Sequence, residues 1–200
     1  MKIVFAGGGT GGHLMAGLSI AQEISFRFPG TRIIFFGTNK NKESRYIEES
    51  NYEFKPIMAC KPTSFIRLPL FAFASLIGII HSLINLFIIK PDIIIGLGGY
   101  GSALPVVAAY IIGIPIVLIE PNVIPGRANL KMERWADAVL CHWESSKKRF
   151  KKGEVAVTGV PIRSGILENQ TEVDNNPFGL DSQKKTLLIM GGSQGAQAIN

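Results

Sequence analysis

Short runs of β-branched and other apolar residues recur along this chain, and the stretches between most of them are long enough for helices. The runs are residues 3–5, 32–36, 92–95, 116–119, 138–140, 155–157 and 186–189. Continuous apolar strands that alternate with helices are typical of a parallel sheet. The pattern therefore predicts a protein of the α/β class, with a parallel sheet covered by helices on both faces.

A change in composition divides the chain. Residues 164–182 are mostly polar and contain several Asn with Pro177 and Gly179, which predicts a linker after a first domain at 1–163. The stretch that follows, "KKTLLIMGGSQGAQAIN", predicts a strand, a glycine turn and the start of a helix. One strand and half a helix cannot bury their own apolar surface, so we expect residues 183–200 to begin an incomplete second domain.

The net charge and the cysteine content indicate which classes of partner and which cellular compartment to expect. The net charge of +6 favours a partner that carries negative charge, such as nucleic acid, an anionic membrane or a phosphorylated substrate. Cys60 and Cys141 have no paired spacing, which predicts reduced thiols. The first apolar run is too short for a signal peptide. We therefore expect a cytoplasmic protein.

Residues 68–89 carry no charge and, at about 1.5 Å per residue, are just long enough to cross a bilayer core. However, Ser75, Gly78, Ser82 and Asn85 recur at helical spacing, which favours a packed helix. A helix that crosses over between two parallel strands is also expected here. We favour a buried or membrane-apposed helix over a true span. The basic residues within 147–152 are either a solvated helix end or a site for anionic lipid.

Three glycine turns each follow a predicted strand: "FAGGGTGGHLM" at 5–15, "GLGGYGSALP" at 96–105 and "MGGSQGA" at 190–196. The first fits G-x-G-x-x-G, but no acidic residue ends the second strand, so an NAD site is disfavoured. It also lacks the lysine of an ATP-binding phosphate loop. Glycine turns permit tight corners, and the helices that follow suit phosphate or carboxylate groups. Three such turns favour anion binding at the sheet edges over a purely structural role.

His13 stands at the end of the first turn. It is either a buried histidine or, beside an anion site and with a pKa near neutrality, a general base. We find no metal-ligand spacing, no metal site, no cofactor motif and no nucleophile elbow in the sequence.

Five motifs in a fixed order then point to a family. They are "GGTGGH" at 8–13, "KPDIIIGLGGYGS" at 90–102, "GIPIVLIEPN" at 113–122, "GVPIR" at 159–163 and "GGSQGA" at 191–196. This order resembles the peptidoglycan N-acetylglucosaminyltransferases, which convert lipid I to lipid II. The resemblance covers essentially the whole chain. It implies two Rossmann-like domains of GT-B architecture, the first for the acceptor and the second for the nucleotide sugar.

The resemblance also implies roles for particular residues. The UDP-N-acetylglucosamine positions are Thr10, Gly11, Gly12, Asn122, Arg163 and Ser193. His13 would accept the proton of the acceptor's 4-hydroxyl group, and Gly98, Gly99 and Tyr100 would face the acceptor's pyrophosphate, with Glu120 supporting that site. The implied reaction is an inverting displacement that needs neither a metal nor a cofactor, with helix N-termini stabilising the departing UDP.

The implied acceptor is undecaprenyl-pyrophosphoryl-MurNAc-pentapeptide, with the protein bound peripherally to the cytoplasmic face of the membrane and no nucleic acid partner. Two departures stand out: Met15-Ala16 replace the usual Phe-Pro, and Ile119-Glu120-Pro121-Asn122 replace His-Glu-Gln-Asn. The lost histidine leaves fewer polar groups near the acceptor. The alternative function is a non-catalytic acceptor-binding half that recruits a separate donor-binding chain.

Overall fold

The computed structural model describes residues 1–7, 11–38, 41–58, 68–162, 178–181 and 183–189. The chain divides into two compact units, Met1–Ile162 and Arg163–Asn200. The sheet and all the described helices belong to the first unit.

The first unit alternates strands and helices along its length. In chain order the elements are β1 (Lys2–Ala6), α1 (Gly11–Arg27), β2 (Arg32–Gly37), α2 (Asn41–Glu49), β3 (Glu53–Pro56), α3 (Leu68–Ile89), β4 (Ile93–Gly96), α4 (Tyr100–Ile111), β5 (Ile116–Glu120), α5 (Arg127–Met132), a 3₁₀ turn (Glu133–Trp135), β6 (Ala138–Cys141), α6 (Glu144–Lys147) and β7 (Glu154–Val157).

All seven strands are parallel, in the order β3-β2-β1-β4-β5-β6-β7. The chain moves outward from β1 to β3, returns through α3, and then moves outward in the other direction from β4 to β7. The order therefore reverses between β1 and β4, and open sheets of this kind bind ligands beside such a switch point. The predicted Rossmann-like parallel sheet is confirmed.

Alternation along the strands gives the sheet an apolar core on each face. On one face, Phe5 and Phe35 stack with their ring centroids 4.9 Å apart, beneath the α1 residues Leu14 and Leu18. The other face packs against α3, α4 and α5 through a larger buried cluster that includes Leu86. Both faces of the central strands are buried, which explains why those strands are continuously apolar in sequence.

Helix α3 has the bounds that the sequence predicts, and it turns its small residues inward. A Cβ on Gly78 would lie 2.3 Å from the carbonyl oxygen of Met58 and 2.5 Å from Cδ1 of Leu104, so glycine is required for this close approach. Ser82 is fully buried, and its Oγ donates to the Gly78 carbonyl at 2.8 Å. The predicted small-residue stripe therefore packs against the rest of the first unit.

Two sequence predictions differ from the structure. Strand β3 was not predicted, because Glu53-Phe54-Lys55-Pro56 is a short, charged edge strand without an apolar run. Conversely, residues 186–189 were predicted to form a strand, but they form none, and Leu187 and Leu188 are exposed. A β-strand needs a neighbour for its backbone hydrogen bonds, and no described strand pairs with these residues. Most of the predicted linker and the third glycine turn lie outside the described residues.

Candidate functional site

Three loops meet at the carboxyl edge of the sheet, where the neighbouring strands β1, β4 and β5 end. Gly11, Gly12 and His13 form the first turn of α1, and Tyr100 begins α4 directly after Gly98 and Gly99. Gly7 packs against the carbonyl oxygen of Gly98, which joins the first two loops. The loops that follow adjacent parallel strands lie at the same edge of the sheet, so motifs that are far apart in the sequence lie close together here.

His13 lies against the Gly98 turn. A Cβ on Gly98 would lie 3.3 Å from both Cδ2 and Nε2 of the His13 ring and 3.2 Å from Nδ2 of Asn129. The φ angle of Gly98 is +90°, a conformation that residues with a side chain rarely adopt. The backbone conformation therefore favours glycine here, and a Cβ would press on the imidazole.

Glu120 is the buried centre of the third loop. Its side chain is fully buried, and both carboxylate oxygens accept two hydrogen bonds of 2.9 Å each. Oε1 accepts from the backbone N and from Nδ2 of Asn122, and Oε2 accepts from the backbone N of Gly126 and from Nδ2 of Asn129. These bonds offset the cost of burying the charge. The carboxylate therefore holds the β5–α5 loop in shape, and Asn122 is exposed beside it.

Two helices present their N-termini at this edge. The first backbone N–H groups of a helix lack partners within the helix and carry a partial positive charge, which favours an anion. Helix α1 has 17 residues and α4 has 12, so both are long enough for this effect. Gly99, at φ 77° and ψ 175°, precedes α4 without a capping side chain. The edge can therefore receive a phosphate or carboxylate through main-chain groups.

Burial controls the titration of two histidines near Glu120. The pKa of His13 is lowered from its usual value of 6.5, chiefly because burial disfavours the imidazolium, while the negative charge of Glu120 opposes this shift. The pKa of His142, which follows β6, is lowered for the same reason and is opposed by the same carboxylate. His13 is therefore neutral at pH 7, the state in which an imidazole can accept a proton.

An apolar cavity of about 390 Å³ lies on the α1 face of the sheet. Ile20 and Ile24 of α1, Ile119 of β5, His142 and residues 158–161 contribute to its lining. Ile119 occupies the position where the resembled family has a histidine. His142, which directly follows the neighbouring strand β6, supplies an imidazole to the same cavity.

The structure brings Gly11, Gly12, His13, Gly98, Gly99, Tyr100, Glu120 and Asn122 to one edge. Thr10, Arg163 and Ser193 lie outside the described residues. In the described part of the chain, no group of three or more His, Cys, Asp or Glu residues could hold a metal ion.

Sequence reasoning missed Asn129 and His142. His142 follows the carboxyl end of a parallel strand, which is the rule that identified the glycine turns, so that rule could have found it. Asn129 lies inside a short helix, and no local pattern marks it. Its position opposite Glu120 depends on tertiary packing.

The fold and this site define an α/β ligand-binding domain of the doubly wound class, with its site at the topological switch point. Residues 3–141 match the family described as the glycosyltransferase family 28 N-terminal domain, and the chain belongs to that family.

Similar proteins agree with this assignment. Relatives from Thermodesulfovibrio yellowstonii and Bacillus subtilis are 37% and 35% identical over the whole chain. Both are named UDP-N-acetylglucosamine--N-acetylmuramyl-(pentapeptide) pyrophosphoryl-undecaprenol N-acetylglucosamine transferase. The resemblance to these glycosyltransferases is thus confirmed. The chain spans about half of their length, 55% and 56% respectively.

Solved structures share the fold. The crystal structure of Acinetobacter baumannii MurG matches 81% of this chain and 46% of its own, with a TM-score of 0.68 at 23% identity. A UDP-GlcNAc 2-epimerase from Neisseria meningitidis, bound to UDP-GlcNAc, matches 80% of this chain and 46% of its own, with a TM-score of 0.58 at 18% identity. At these identities the match concerns the architecture alone.

Proposed function

We propose that this chain forms the acceptor-side part of an N-acetylglucosaminyltransferase of peptidoglycan synthesis. The enzyme would move N-acetylglucosamine from UDP-N-acetylglucosamine to the 4-hydroxyl group of undecaprenyl-pyrophosphoryl-MurNAc-pentapeptide. The observation that carries this proposal is the identity of 33–37% over the whole chain to relatives that bear the name of this transferase. The cluster of His13, Gly98 and the buried Glu120 supplies the chemistry that the reaction needs.

His13 is the candidate general base. Transfer requires the acceptor hydroxyl group to lose its proton as its oxygen attacks the anomeric carbon and the bond to UDP breaks. The lowered pKa of His13 keeps its imidazole neutral at pH 7, so it can take that proton. An attack opposite to the departing UDP inverts the configuration at the anomeric carbon.

Backbone groups would bind the diphosphates. The N-termini of α1 and α4 offer N–H donors and partial positive charge, which suit the acceptor's pyrophosphate at the Gly98 turn and the departing UDP near Gly12. The family resemblance also assigns Thr10, Arg163 and Ser193 to the nucleotide sugar, and the fork of an arginine side chain suits a diphosphate. No cofactor is required by this chemistry.

Helix α3 is the proposed contact with the membrane. Residues 70–89 are the described segment that is long and apolar enough to span a bilayer. Its mean hydropathy is 2.2, and 22% of its most apolar stretch is buried. Its inward residues pack against the domain, whereas its outward face exposes apolar side chains at helical spacing. These are Leu70, Phe73, Leu76, Ile80, Ile84, Phe87 and Ile88. A helix packed on one side and apolar on the other suits shallow insertion into one leaflet.

Exposed cations would strengthen this contact. Lys147, Lys148 and Arg149 are exposed around the end of α6, and Phe150 anchors their segment in the core. Each cation close to an anionic membrane surface contributes about 1 kcal/mol of attraction. A lipid-linked acceptor resides in the membrane, so we place the enzyme peripherally on the cytoplasmic face.

A transfer assay tests the proposed activity. The chain fused to the second half of the Thermodesulfovibrio yellowstonii relative should form a disaccharide from UDP-N-acetylglucosamine and a soluble lipid I analogue. The His13→Gln variant of the fusion should bind the acceptor analogue normally and lose at least about a hundredfold in transfer rate. Equal rates for the two proteins would contradict the role of His13.

Assays of the chain without a fused second half test the alternative function, a non-catalytic acceptor-binding half. The 200-residue chain alone should bind the acceptor analogue and transfer no sugar, because one domain cannot enclose both substrates and exclude water. Activity that appears only when a separate donor-binding chain is added would favour the alternative. A chain that binds no acceptor analogue would contradict both functions.

A further inference from the structure

Asn129 of α5 is a buried polar residue that none of the assignments above includes. Its side chain is 1% exposed. Its Nδ2 donates to Oε2 of Glu120 and to the carbonyl oxygen of Ile119, both at 2.9 Å. Its Oδ1 is buried and accepts no hydrogen bond. An unpaired buried acceptor costs free energy, so the residue needs an explanation beyond local packing.

The two acceptors fix the orientation of this amide. Both hydrogens of Nδ2 are used, one for Glu120 and one for Ile119. A reversed amide would place Oδ1 against two other oxygens, with no proton to share. The chain therefore leaves Oδ1 unpaired in order to hold the Glu120 carboxylate and the end of β5 together.

The same amide lies close beside the Gly98 turn. Nδ2 lies 3.2 Å from the position of a Cβ on Gly98, and Nε2 of His13 lies 3.3 Å from that position. Asn129 and His13 therefore pack on the same side of Gly98. Helix α5 thereby approaches the turn beside which the imidazole lies.

We propose that Asn129 is a positioning residue for His13. Its amide links the buried Glu120 carboxylate to the Gly98 turn and so sets where the imidazole stands at the sheet edge. The consequence for catalysis rests on the proposed function, because it requires His13 to be the base. The positioning itself is a property of the folded chain and can be measured without substrates.

Two substitutions of Asn129 test the link in the 200-residue chain. Asn129→Leu keeps the shape and removes the donor. Asn129→Asp also keeps the shape but sets a second carboxyl group against Glu120. The two carboxyl groups can share a proton in acid and repel each other when both are ionised. Histidine-selective NMR is the readout, because the chain contains only three histidines.

We expect Asn129→Leu to displace the His13 ring signals at every pH while the His81 signals stay in place. With Asn129→Asp, the His13 signals should coincide with those of the wild type in acid and diverge progressively as the pH rises. This pH dependence keeps the proposal testable if the leucine variant does not fold. Ser82→Ala, which removes another buried hydrogen bond, should lower the melting temperature without moving the His13 signals.

The proposal is overturned if both Asn129 variants leave the His13 signals at their wild-type positions throughout the titration. It is also overturned if Ser82→Ala moves those signals as far as the Asn129 variants do, because the effect would then reflect general loosening. Failure of the transfer assay, with the His13 signals displaced as expected, would count against the proposed activity and leave the positioning intact.

Discussion

Gly7 and Gly98 meet through their backbones. A Cβ on Gly7 would lie 2.8 Å from the carbonyl oxygen of Gly98 and 3.0 Å from Cβ of Ser102. The turns after β1 and β4 thus approach more closely than any residue with a side chain would allow. The end of β1 and the turn after β4 are therefore in close backbone contact.

Gly7→Ala should destabilise the domain, because the methyl group would collide with the backbone of Gly98 and the φ angle of Gly7 is +113°. We expect a loss of about 2–4 kcal/mol in the free energy of unfolding, combining strain and overpacking. Urea denaturation measures it. Gly30→Ala is the control, since φ is +85° but no atom lies within 4 Å of its Cβ position. Equal losses for the two variants would contradict the contact argument.

Gly98→Ala and Gly99→Ala form a second matched pair. Both residues have positive φ, +90° and +77°, so each alanine should cost about 1–3 kcal/mol in strain. Only the methyl group at Gly98 would press on His13 and Asn129, because the Cβ position of Gly99 is open. Titration calorimetry with a soluble lipid I analogue should show weaker binding by Gly98→Ala. An affinity of Gly98→Ala equal to that of the wild type would refute a role for the Gly98 turn in acceptor binding.

Glu120→Gln should loosen the β5–α5 loop. The carboxylate accepts four hydrogen bonds, and an amide would point its NH₂ group at two of those donors. The expected loss is about 2–4 kcal/mol in unfolding free energy, with faster hydrogen exchange at the Asn122 and Gly126 amides. Glu133→Gln, which alters a single exposed bond to the backbone N of Lys151, should cost much less.

Glu120→Gln should also lower the pKa of His13. Glu120 raises the pKa of His13, so removing its charge should lower that pKa further. An NMR titration of the His13 ring in Glu120→Gln measures the change. A rise in the pKa of His13 would show that the loop had opened and relieved the burial of the imidazole.

Acid should destabilise the domain through its buried histidines. Burial lowers the pKa values of His13 and His142 in the folded state, so the unfolded chain binds more protons as the pH falls below 6.5. Stability should therefore be highest above about pH 7 and fall towards pH 5. His142→Leu should reduce this dependence of the melting temperature on pH. Ser146→Ala, a buried change without a titratable group, should lower the melting temperature equally at both pH values.

Charges on the outward face of α3 should weaken the proposed membrane binding. Ile84→Glu combined with Phe87→Glu places two carboxylates on exposed positions, so stability should change little while vesicle binding weakens at least about tenfold. Sedimentation with vesicles rich in anionic lipid measures this. Phe26→Glu, at an apolar position of α1 that is 82% exposed, is the control. Protein that resists release from membranes by carbonate would contradict the peripheral arrangement.

The sequence predicts the fold well where the pattern is local. Six of the seven sheet strands are apolar runs, and the glycine turns after β1 and β4 mark where their loops gather. Strand β3 escapes prediction because an edge strand with Glu53 and Lys55 needs no apolar alternation. Residues 186–189 show the opposite error, since an apolar run without a pairing partner has no reason to be a strand.

The site is less predictable than the fold. The family resemblance assigns Glu120 a supporting role at a strand end, and its complete burial emerges only in the structure. The donors that neutralise it come from Asn122, Gly126 and Asn129, which follow it by two to nine positions without a recognisable motif. Hydrogen-bond partners inside a loop depend on its closed shape, which a linear pattern does not encode.

Gly78 lets α3 pack closely against Met58 and Leu104, so packing restricts the residues on the inward side of this helix but not those on its outward side. The position of Gly78 must stay small for the helix to pack this closely, whereas the exposed apolar positions can vary in size and hydrophobicity without disturbing the sheet. The exposed side of this helix can therefore change in sequence independently of the architecture that the buried side completes.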